Sequence, residues 1–222
     1  MPIWDRLITL QSDIECILDK NLERYEEPHL ERFNQPRWIN RTWKSDKFRR
    51  AHVDVVDARE TKKLWMMHVC IFPNLQSGAP IYGFDVISGP SKITGAFHDF
   101  SPVNPTDPAL KYFADVASNY TWGKERELPE WARAIFSPNM VAAGNIQTDS
   151  EVSLLSSLIK TNTEWYLERM DVRSDMNSSD LHNRYAYFQK QNPHTPRTMK
   201  ALGLNEDDVD SFVSKCLFPE VG

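Results

Sequence analysis

The sequence predicts a three-layer α/β/α sandwich, a fold of the α/β class with a central antiparallel β-sheet. The first indication is the stretch 49–102, which contains four segments rich in β-branched and bulky residues, joined by short turn-like breaks. Short connections join strands that run antiparallel, so this stretch predicts a meander. The second indication is that amphipathic helical patterns precede and follow the stretch, and helices on both faces would cover the sheet most simply.

Length, composition and charge restrict the class of protein. The 222 residues, 41% hydrophobic and 11% aromatic, are typical of one folded domain, which we expect to span residues 1–222. The net charge of −5 does not indicate nucleic acid or an acidic membrane as a partner. The three cysteines lie far apart without metal-ligand spacing, which argues against a zinc site or an iron–sulfur cluster. With no apolar run that could span a bilayer and no visible signal peptide, we expect a cytoplasmic protein, with a monomer as the default state.

The segment before the meander predicts one helix and one edge strand. Apolar residues recur at steps of three and four through residues 3–25, which predicts an amphipathic helix. Pro28 and Pro36 interrupt the helical phasing, and a first edge strand is expected near residues 38–43. We expect Trp38 and Trp43 to pack at this edge.

Recognisable turns separate the strands of the meander. The charged segment DARETKK predicts a hairpin connection, whereas NLQSGAP and SGPSK carry glycine and proline where turns need them. After Pro102, a helix is expected in the segment VNPTDPALKYFADVASNYTW, with Asp107 or Thr106 as its N-cap.

The C-terminal half predicts mainly helices. A short turn-helix is expected at RELPEWARAIFSP and a strand at MVAAGNI. Thr148 and Glu151 form a capping-box pattern ahead of a long amphipathic helix.

Beyond a polar break, RSDMNSSD, a further helix is expected at LHNRYAYFQKQ and a last one at residues 205–217. The segment NPHTPR between them contains two prolines, so an irregular loop is expected there.

Three ionisable residues, Asp54, His68 and Asp85, stand in mid-strand where apolar residues are usual. Because side chains alternate along a strand, a suitable register brings His68 and Asp85 together on one face. The two groups would then shift each other's pKa, which suits proton donation near neutral pH, and Gly83 would leave room for a flat ligand. A structural His–Asp hydrogen bond explains the same pattern, and the pattern alone favours it slightly.

Other chemistries have weaker signals. The chain has no GxGxxG motif for a nicotinamide or flavin, and Ser88-Gly89-Pro90-Ser91 is neither a nucleophile elbow nor a phosphate loop. Asp99, after His98 at the end of a strand, is expected to cap a turn. Lysines and arginines gather in WKSDKFRR, at Lys62 and Lys63, and around residues 190–200. Such groups form a solvated face or a docking surface for an acidic partner.

Five motifs in one order resemble those of the ferredoxin-dependent bilin reductases, and most closely the phycocyanobilin:ferredoxin oxidoreductase branch. The motifs are FRRAHVDV, MHVCIFP, PIYGFDVISG, HDFSP and RELPEW. The similarity runs from about residue 42 to residue 218 and is weaker in the C-terminal third. It implies an α/β/α sandwich that holds biliverdin between the sheet and the C-terminal helices. It also implies single electrons from reduced ferredoxin, with no metal or flavin in the reductase.

The resemblance also implies roles for individual residues. Asp85 matches the family's catalytic aspartate, and His68 matches a histidine in the hydrogen-bond network around the bilin lactam oxygens. Arg126 and Thr94 match residues near a propionate group. In the C-terminal segment, the substrate-binding residues implied are Asn192, His194 and Arg197.

Two departures from the branch bear on the product. Asp54 stands where the branch has a catalytic glutamate that helps to protonate the D-ring vinyl group. Pro193 stands where reductases that form phycoerythrobilin in one enzyme have another aspartate. This combination resembles the small phage-associated reductases of the branch. The expected reaction is therefore reduction of biliverdin IXα through 15,16-dihydrobiliverdin to phycoerythrobilin, with an acidic [2Fe-2S] ferredoxin as partner. Reduction to phycocyanobilin and a non-catalytic bilin carrier remain the alternatives.

Overall fold

A seven-stranded antiparallel sheet, with strands arranged in sequence order, forms the centre of the molecule. The computed structural model describes residues 1–170 and 176–222. The strands are β1 (Glu23–Tyr25), β2 (Trp38–Lys44), β3 (Phe48–Ala58), β4 (Leu64–Pro73), β5 (Ile81–Ser88), β6 (Ile93–Ser101) and β7 (Val141–Ala143). The predicted meander is confirmed as β3 to β6.

Helices cover both faces of this sheet, which confirms the three-layer α/β/α sandwich. The helices of the described ranges are α1 (Ile3–Asn21), α2 (Pro28–Glu31), α3 (Arg59–Lys62), α4 (Pro108–Ala117), α5 (Glu130–Arg133), α6 (Asp149–Arg169), α7 (Ser179–Gln189), α8 (His194–Ala201) and α9 (Glu206–Ser211), which continues as a π-helix over Phe212–Leu217. In these ranges no helix has both the length and the apolar character needed to cross a bilayer.

The two faces of the sheet belong to two separate apolar clusters. Val53, Val69 and Val86 point to one face and pack with α1, α4 and α6. Val56, Cys70 and other side chains of the opposite face pack with α7, α8, α9 and the π-helix. The period-two alternation of a strand therefore divides the side chains of each central strand between the layer of α1, α4 and α6 and the layer of C-terminal helices.

Local capping signals are confirmed. The Thr148 side chain accepts a hydrogen bond from the Glu151 backbone N–H, and the Glu151 carboxylate reaches back to the N-cap, so α6 begins with a capping box. The Asp107 carboxylate accepts from the Ala109 N–H at the start of α4.

Three sequence-based expectations were wrong. The strand β2 is not an edge, because β1 pairs outside it through Glu23 and Lys44; the expected helix over residues 3–25 ends at Asn21 to allow this. The segment NPHTPR is not an irregular loop but enters α8 at His194. Pro196 fits there because the N–H groups of a helix's first turn have no intrahelical partner to lose.

Candidate active site

Asp54, His68 and Asp85 form one row across three neighbouring strands. In the antiparallel ladders, Asp54 of β3 lies opposite His68 of β4, and His68 lies opposite Asp85 of β5. Because strands are spaced by about 4.8 Å, the two aspartate Cα atoms lie about 10 Å apart with the imidazole between them. The predicted approach of His68 and Asp85 is confirmed, and the same register adds Asp54.

The sheet face that carries this row is partly open. Along β4 and β5, side chains on the opposite face are buried. On this face, Cys70, Phe72 and Ile81 at one end are also buried, whereas the residues around the row and towards the other end are half-buried. The half-buried residues are Leu64, Met66, His68, Gly83, Asp85 and Ile87; we call them the floor. A floor that is apolar at its margins and ionisable at its centre suits a flat ligand with a polar middle.

Both carboxyl groups have pKa values raised towards neutrality. Burial raises the pKa of Asp85 to about 7, against a hydrogen bond from the Val86 backbone that lowers it. Burial also raises the pKa of Asp54 to about 7, opposed by a hydrogen bond from Trp38 and assisted by the negative charge of Asp85. Each acid can therefore be protonated at neutral pH and still release its proton, which is the property that a general acid needs.

His68 has the opposite shift. Burial, with a contribution from the positive charge of Arg50, lowers the pKa of His68 to about 4, so its imidazole is neutral at pH 7. The ring meets Phe218 edge-to-face at a centroid distance of 5.7 Å. A neutral imidazole between two carboxyl groups can accept a proton on one nitrogen and give one from the other.

Buried polar atoms without a partner concentrate on this face. In the described part of the chain they are Asn40 Nδ2, Arg49 Nη2, Arg50 Nη1, His52 Nδ1, His68 Nδ1 and Asp85 Oδ1. Buried polar groups are normally satisfied, so this concentration indicates that a polar ligand or ordered water completes the site.

Sequence reasoning missed His52, Asn40 and the role of Trp38. The imidazole Nε2 of His52 lies 3.1 Å from Asn40 Oδ1, and both side chains are buried beside the row. Trp38 Nε1 donates to Asp54 Oδ1 at 2.6 Å, so this tryptophan does more than pack at an edge. The available signal was the polar alternation Arg50, His52, Asp54 within FRRAHVDV, which puts all three on one face.

Arg126 and Thr94 lie together at the β6 side of the floor. The Arg126 guanidinium donates to the Thr94 carbonyl at 2.5 Å and lies 5.8 Å from the Phe97 ring centroid. Phe97 in turn lies opposite Asp85 in the β5–β6 ladder. Arg126 is exposed and forms no ion pair within the described ranges, so its charge is free to bind an anion near the row.

The three C-terminal candidates do not join this group. Asn192 accepts from the His194 backbone N–H at the start of α8, and His194 and Arg197 are exposed on that helix. Between the described residues there is no hydrogen bond or ion pair from these three side chains to the strands.

Asp99 and Gly83, which the sequence analysis also named, have defined contacts in the structure. Asp99 accepts hydrogen bonds from the Ser137 backbone and hydroxyl and from Ser101, so it fixes a loop, in keeping with the expected turn role. At Gly83, the space of a missing Cβ is bordered by the Tyr185 hydroxyl at 3.6 Å. The glycine therefore lets the buried Tyr185 side chain of α7 lie close to the floor at this point.

Comparisons with known proteins identify the family. A model of the family described as ferredoxin-dependent bilin reductase matches residues 12–219. The phycocyanobilin:ferredoxin oxidoreductase of Gloeobacter violaceus is 26% identical over 190 residues, which cover 81% of this chain and 73% of that protein. The enzyme of the same name from Prochlorococcus marinus strain MIT 9313 is 28% identical over 180 residues, which cover 78% of this chain and 67% of that protein.

Two solved structures are also similar to this chain. A PcyX structure is 35% identical with a TM-score of 0.67, covering 97% of this chain and 99% of that one. The phytochromobilin synthase of tomato, solved in complex with biliverdin, has a TM-score of 0.76 at 16% identity, covers 97% of this chain and 82% of that one, and shows the shared fold. With the matched family model spanning nearly the whole chain, this protein belongs to the ferredoxin-dependent bilin reductase family and is an oxidoreductase.

Proposed function

We propose that this protein reduces biliverdin IXα to phycoerythrobilin through 15,16-dihydrobiliverdin, with reduced ferredoxin as the electron donor. The observation that carries the proposal is the row of Asp54, His68 and Asp85, in which two carboxyl groups with pKa values about 7 flank a neutral imidazole on the sheet face below the C-terminal helices.

The stoichiometry requires such acids. Reduction of the 15,16 double bond takes two electrons and two protons, and the second reduction takes two more of each. A [2Fe-2S] ferredoxin supplies one electron at a time, so four reduced ferredoxins are oxidised for each biliverdin. Single-electron steps pass through bilin radicals, and each radical needs a proton from a group that is close and protonated near neutral pH.

The residues of the candidate site have different roles in this reaction. Asp85 gives a proton to the bilin or to its first radical, and His68, directly opposite, orients the lactam groups and relays protons. Arg126, beside Thr94 at the β6 side, holds a propionate by charge-assisted hydrogen bonds. Asn192, His194 and Arg197 would contact the substrate from the helical side only if α8 moves towards the floor.

Asp54 accounts for the proposed product. An aspartate places its carboxyl group one methylene closer to the backbone than the glutamate of phycocyanobilin-forming relatives. It therefore reaches less far from β3 towards a vinyl group on the D ring. The alternative product is phycocyanobilin, and the alternative of a different class is a bilin carrier without turnover. Paired buried acids beside an imidazole favour the enzyme, because a carrier has no need for proton donors.

Exposed basic residues would guide an acidic ferredoxin to this protein. Lys62 and Lys63, at the β3–β4 turn, are exposed and have no carboxylate partner in the described ranges, whereas Lys190 and Lys200 are paired with Glu220 and Glu206. Turnover that depends on such charges decreases as ionic strength rises.

An anaerobic assay with biliverdin and a ferredoxin-reducing system tests the function, with absorbance followed over time and products separated by chromatography. Phycoerythrobilin preceded by 15,16-dihydrobiliverdin would support the proposal. Phycocyanobilin would show that an aspartate replaces the glutamate and would refute the product assignment. A red-region absorbance change on binding without turnover would indicate a carrier, and no absorbance change would exclude both bilin functions.

A further inference from the structure

The hydrogen bond between Trp38 and Asp54 orients the Asp54 carboxyl group. Trp38 lies on β2 and is two residues from Asn40, the Cα partner of Asp54, so it reaches Asp54 diagonally across the β2–β3 ladder. Its indole Nε1 donates to Asp54 Oδ1 at 2.6 Å. The bond therefore draws the carboxyl group towards β2 and away from His68, which lies on β4.

The indole ring that makes this bond is held on several sides. Its centroid lies 4.8 Å from that of Phe212 in the π-helix, in an edge contact, and 6.1 Å from that of Phe33. Trp38 is 5% exposed and Asp54 is 2% exposed, so water has little access to compete for the carboxylate. A fixed donor on a buried acceptor is a strong orienting contact.

Asp54 has no other direct anchor in the described chain. It forms no hydrogen bond with His68, although the two residues are Cα partners. Other titratable or charged groups near it are His52 and Arg50 on β3, His68 on β4, Asp85 on β5 and Cys216 of the π-helix. The negative charge of Asp85 raises the pKa of Asp54, whereas the hydrogen bond from the Trp38 N–H lowers it.

We propose that Trp38 is a positioning residue that keeps the Asp54 carboxyl group turned towards β2, and thereby decides which part of the bilin Asp54 can protonate. The expected effect on the product rests on the proposed function. The hydrogen bond that tethers Asp54 to Trp38 does not depend on that function. If the N–H is removed, Asp54 is free to turn towards His68 and the centre of the floor. The acid would then protonate a different region of the bilin, and it would hold its proton to higher pH.

The test compares Trp38→Phe with Trp43→Phe, a matched control. Trp43 is also buried and donates its indole N–H to an aspartate, Asp19, at 2.7 Å, but it lies in the apolar cluster of the opposite face. In the bilin-free proteins, infrared titration follows the protonated carboxyl band that Asp54→Asn removes. In the anaerobic assay, the product ratio is measured for the same variants.

We expect Trp38→Phe to raise the titration midpoint of the Asp54 band by about one pH unit, the size of one lost hydrogen bond to a charged group. We also expect it to change the ratio of vinyl-reduced to vinyl-retaining bilins at least about threefold, whereas Trp43→Phe changes neither. An unchanged midpoint or an unchanged ratio would overturn the proposal.

Should Trp38→Phe fail to fold, replacement of Trp38 by benzothienylalanine removes only the N–H and keeps the ring size, and the same two results decide. If the wild-type protein does not turn over biliverdin, the proposed function fails, whereas the infrared midpoint still decides whether Trp38 tethers Asp54.

Discussion

His68 lies directly opposite Asp85 in the β4–β5 ladder, and both residues are half-buried on the same face of the central strands. The same register places Asp54 on the other side of the imidazole. The arrangement depends on nothing more than the period-two alternation of three adjacent strands with short turns. It brings two acids and one base together on the sheet face below the C-terminal helices, where Asp54 is buried and His68 and Asp85 are half-buried.

Turnover should depend on pH through the two acids. Because burial raises the pKa of Asp85 and of Asp54 to about 7, both lose their protons as pH rises through that value. The rate of bilin reduction at saturating substrate should therefore decrease from pH 6 to pH 8.5, by about tenfold for each pH unit above the midpoint. Single-turnover rates with pre-reduced ferredoxin would measure this; a rate that increases over the interval would contradict the assignment.

Folding stability should show the same titration. The folded protein binds a proton at Asp54 that the unfolded chain releases at lower pH, so the free energy of unfolding decreases as pH rises from about 4 to about 7. Asp54→Asn removes this titration and keeps an oxygen acceptor for Trp38. The Tm difference between variant and wild type should therefore grow from pH 5 to pH 8 by at least about 2–4 °C, the shift that one kcal/mol produces in a chain of this size. In the control variant Asp115→Asn, at an exposed aspartate, the Tm difference from the wild type should not grow over this pH range.

Arg126 should contribute to binding and little to chemistry. Its exposed guanidinium lies beside Thr94 and Phe97, near but not in the row. Arg126→Gln should raise the Kd for biliverdin by about 10- to 100-fold, the effect of about 1.5–3 kcal/mol, with kcat changed less than about threefold. Absorbance titration measures the binding. Arg133→Gln, another exposed arginine nearby in the chain, should bind as the wild type; equal loss in both variants would argue against a specific anchor.

Arg50 should be a structural centre of the C-terminal layer. This arginine is 3% exposed, forms an ion pair with Glu27 and donates to the Cys216 carbonyl at 2.6 Å. Arg50→Met leaves the carboxylate of Glu27 partly buried without its partner, which should reduce the free energy of unfolding by about 3–5 kcal/mol in urea titrations. The surface pair of Arg59 and Asp57 is the control, and Arg59→Met should cost less than about 1 kcal/mol. A similar loss of unfolding free energy in Arg50→Met and Arg59→Met would refute the special structural role of Arg50.

The sequence predicted what depends on local periodicity and missed what depends on distant partners. The β3–β6 meander and the pairing of His68 with Asp85 follow from alternation and short turns. The strand β1 is three residues long, too short to show alternation, and α8 begins with a proline-containing turn that also suits a loop.

The remaining site residues could not be placed from the chain alone. The role of Trp38 depends on the β2–β3 register across a turn, and the link from Arg50 to the Cys216 carbonyl joins residues 166 positions apart. Long-range contacts of this kind leave no periodic signal.

A comparison of wild type with Asp85→Asn in one anaerobic single turnover tests the central claim most directly. Asparagine keeps the size of the side chain but cannot supply the proton, so we expect biliverdin to bind as tightly and to be reduced at least about 100-fold more slowly. Asp107→Asn, which keeps a good N-cap on α4, should react as the wild type. Reduction by Asp85→Asn at the wild-type rate would contradict the assignment of Asp85 as the proton donor.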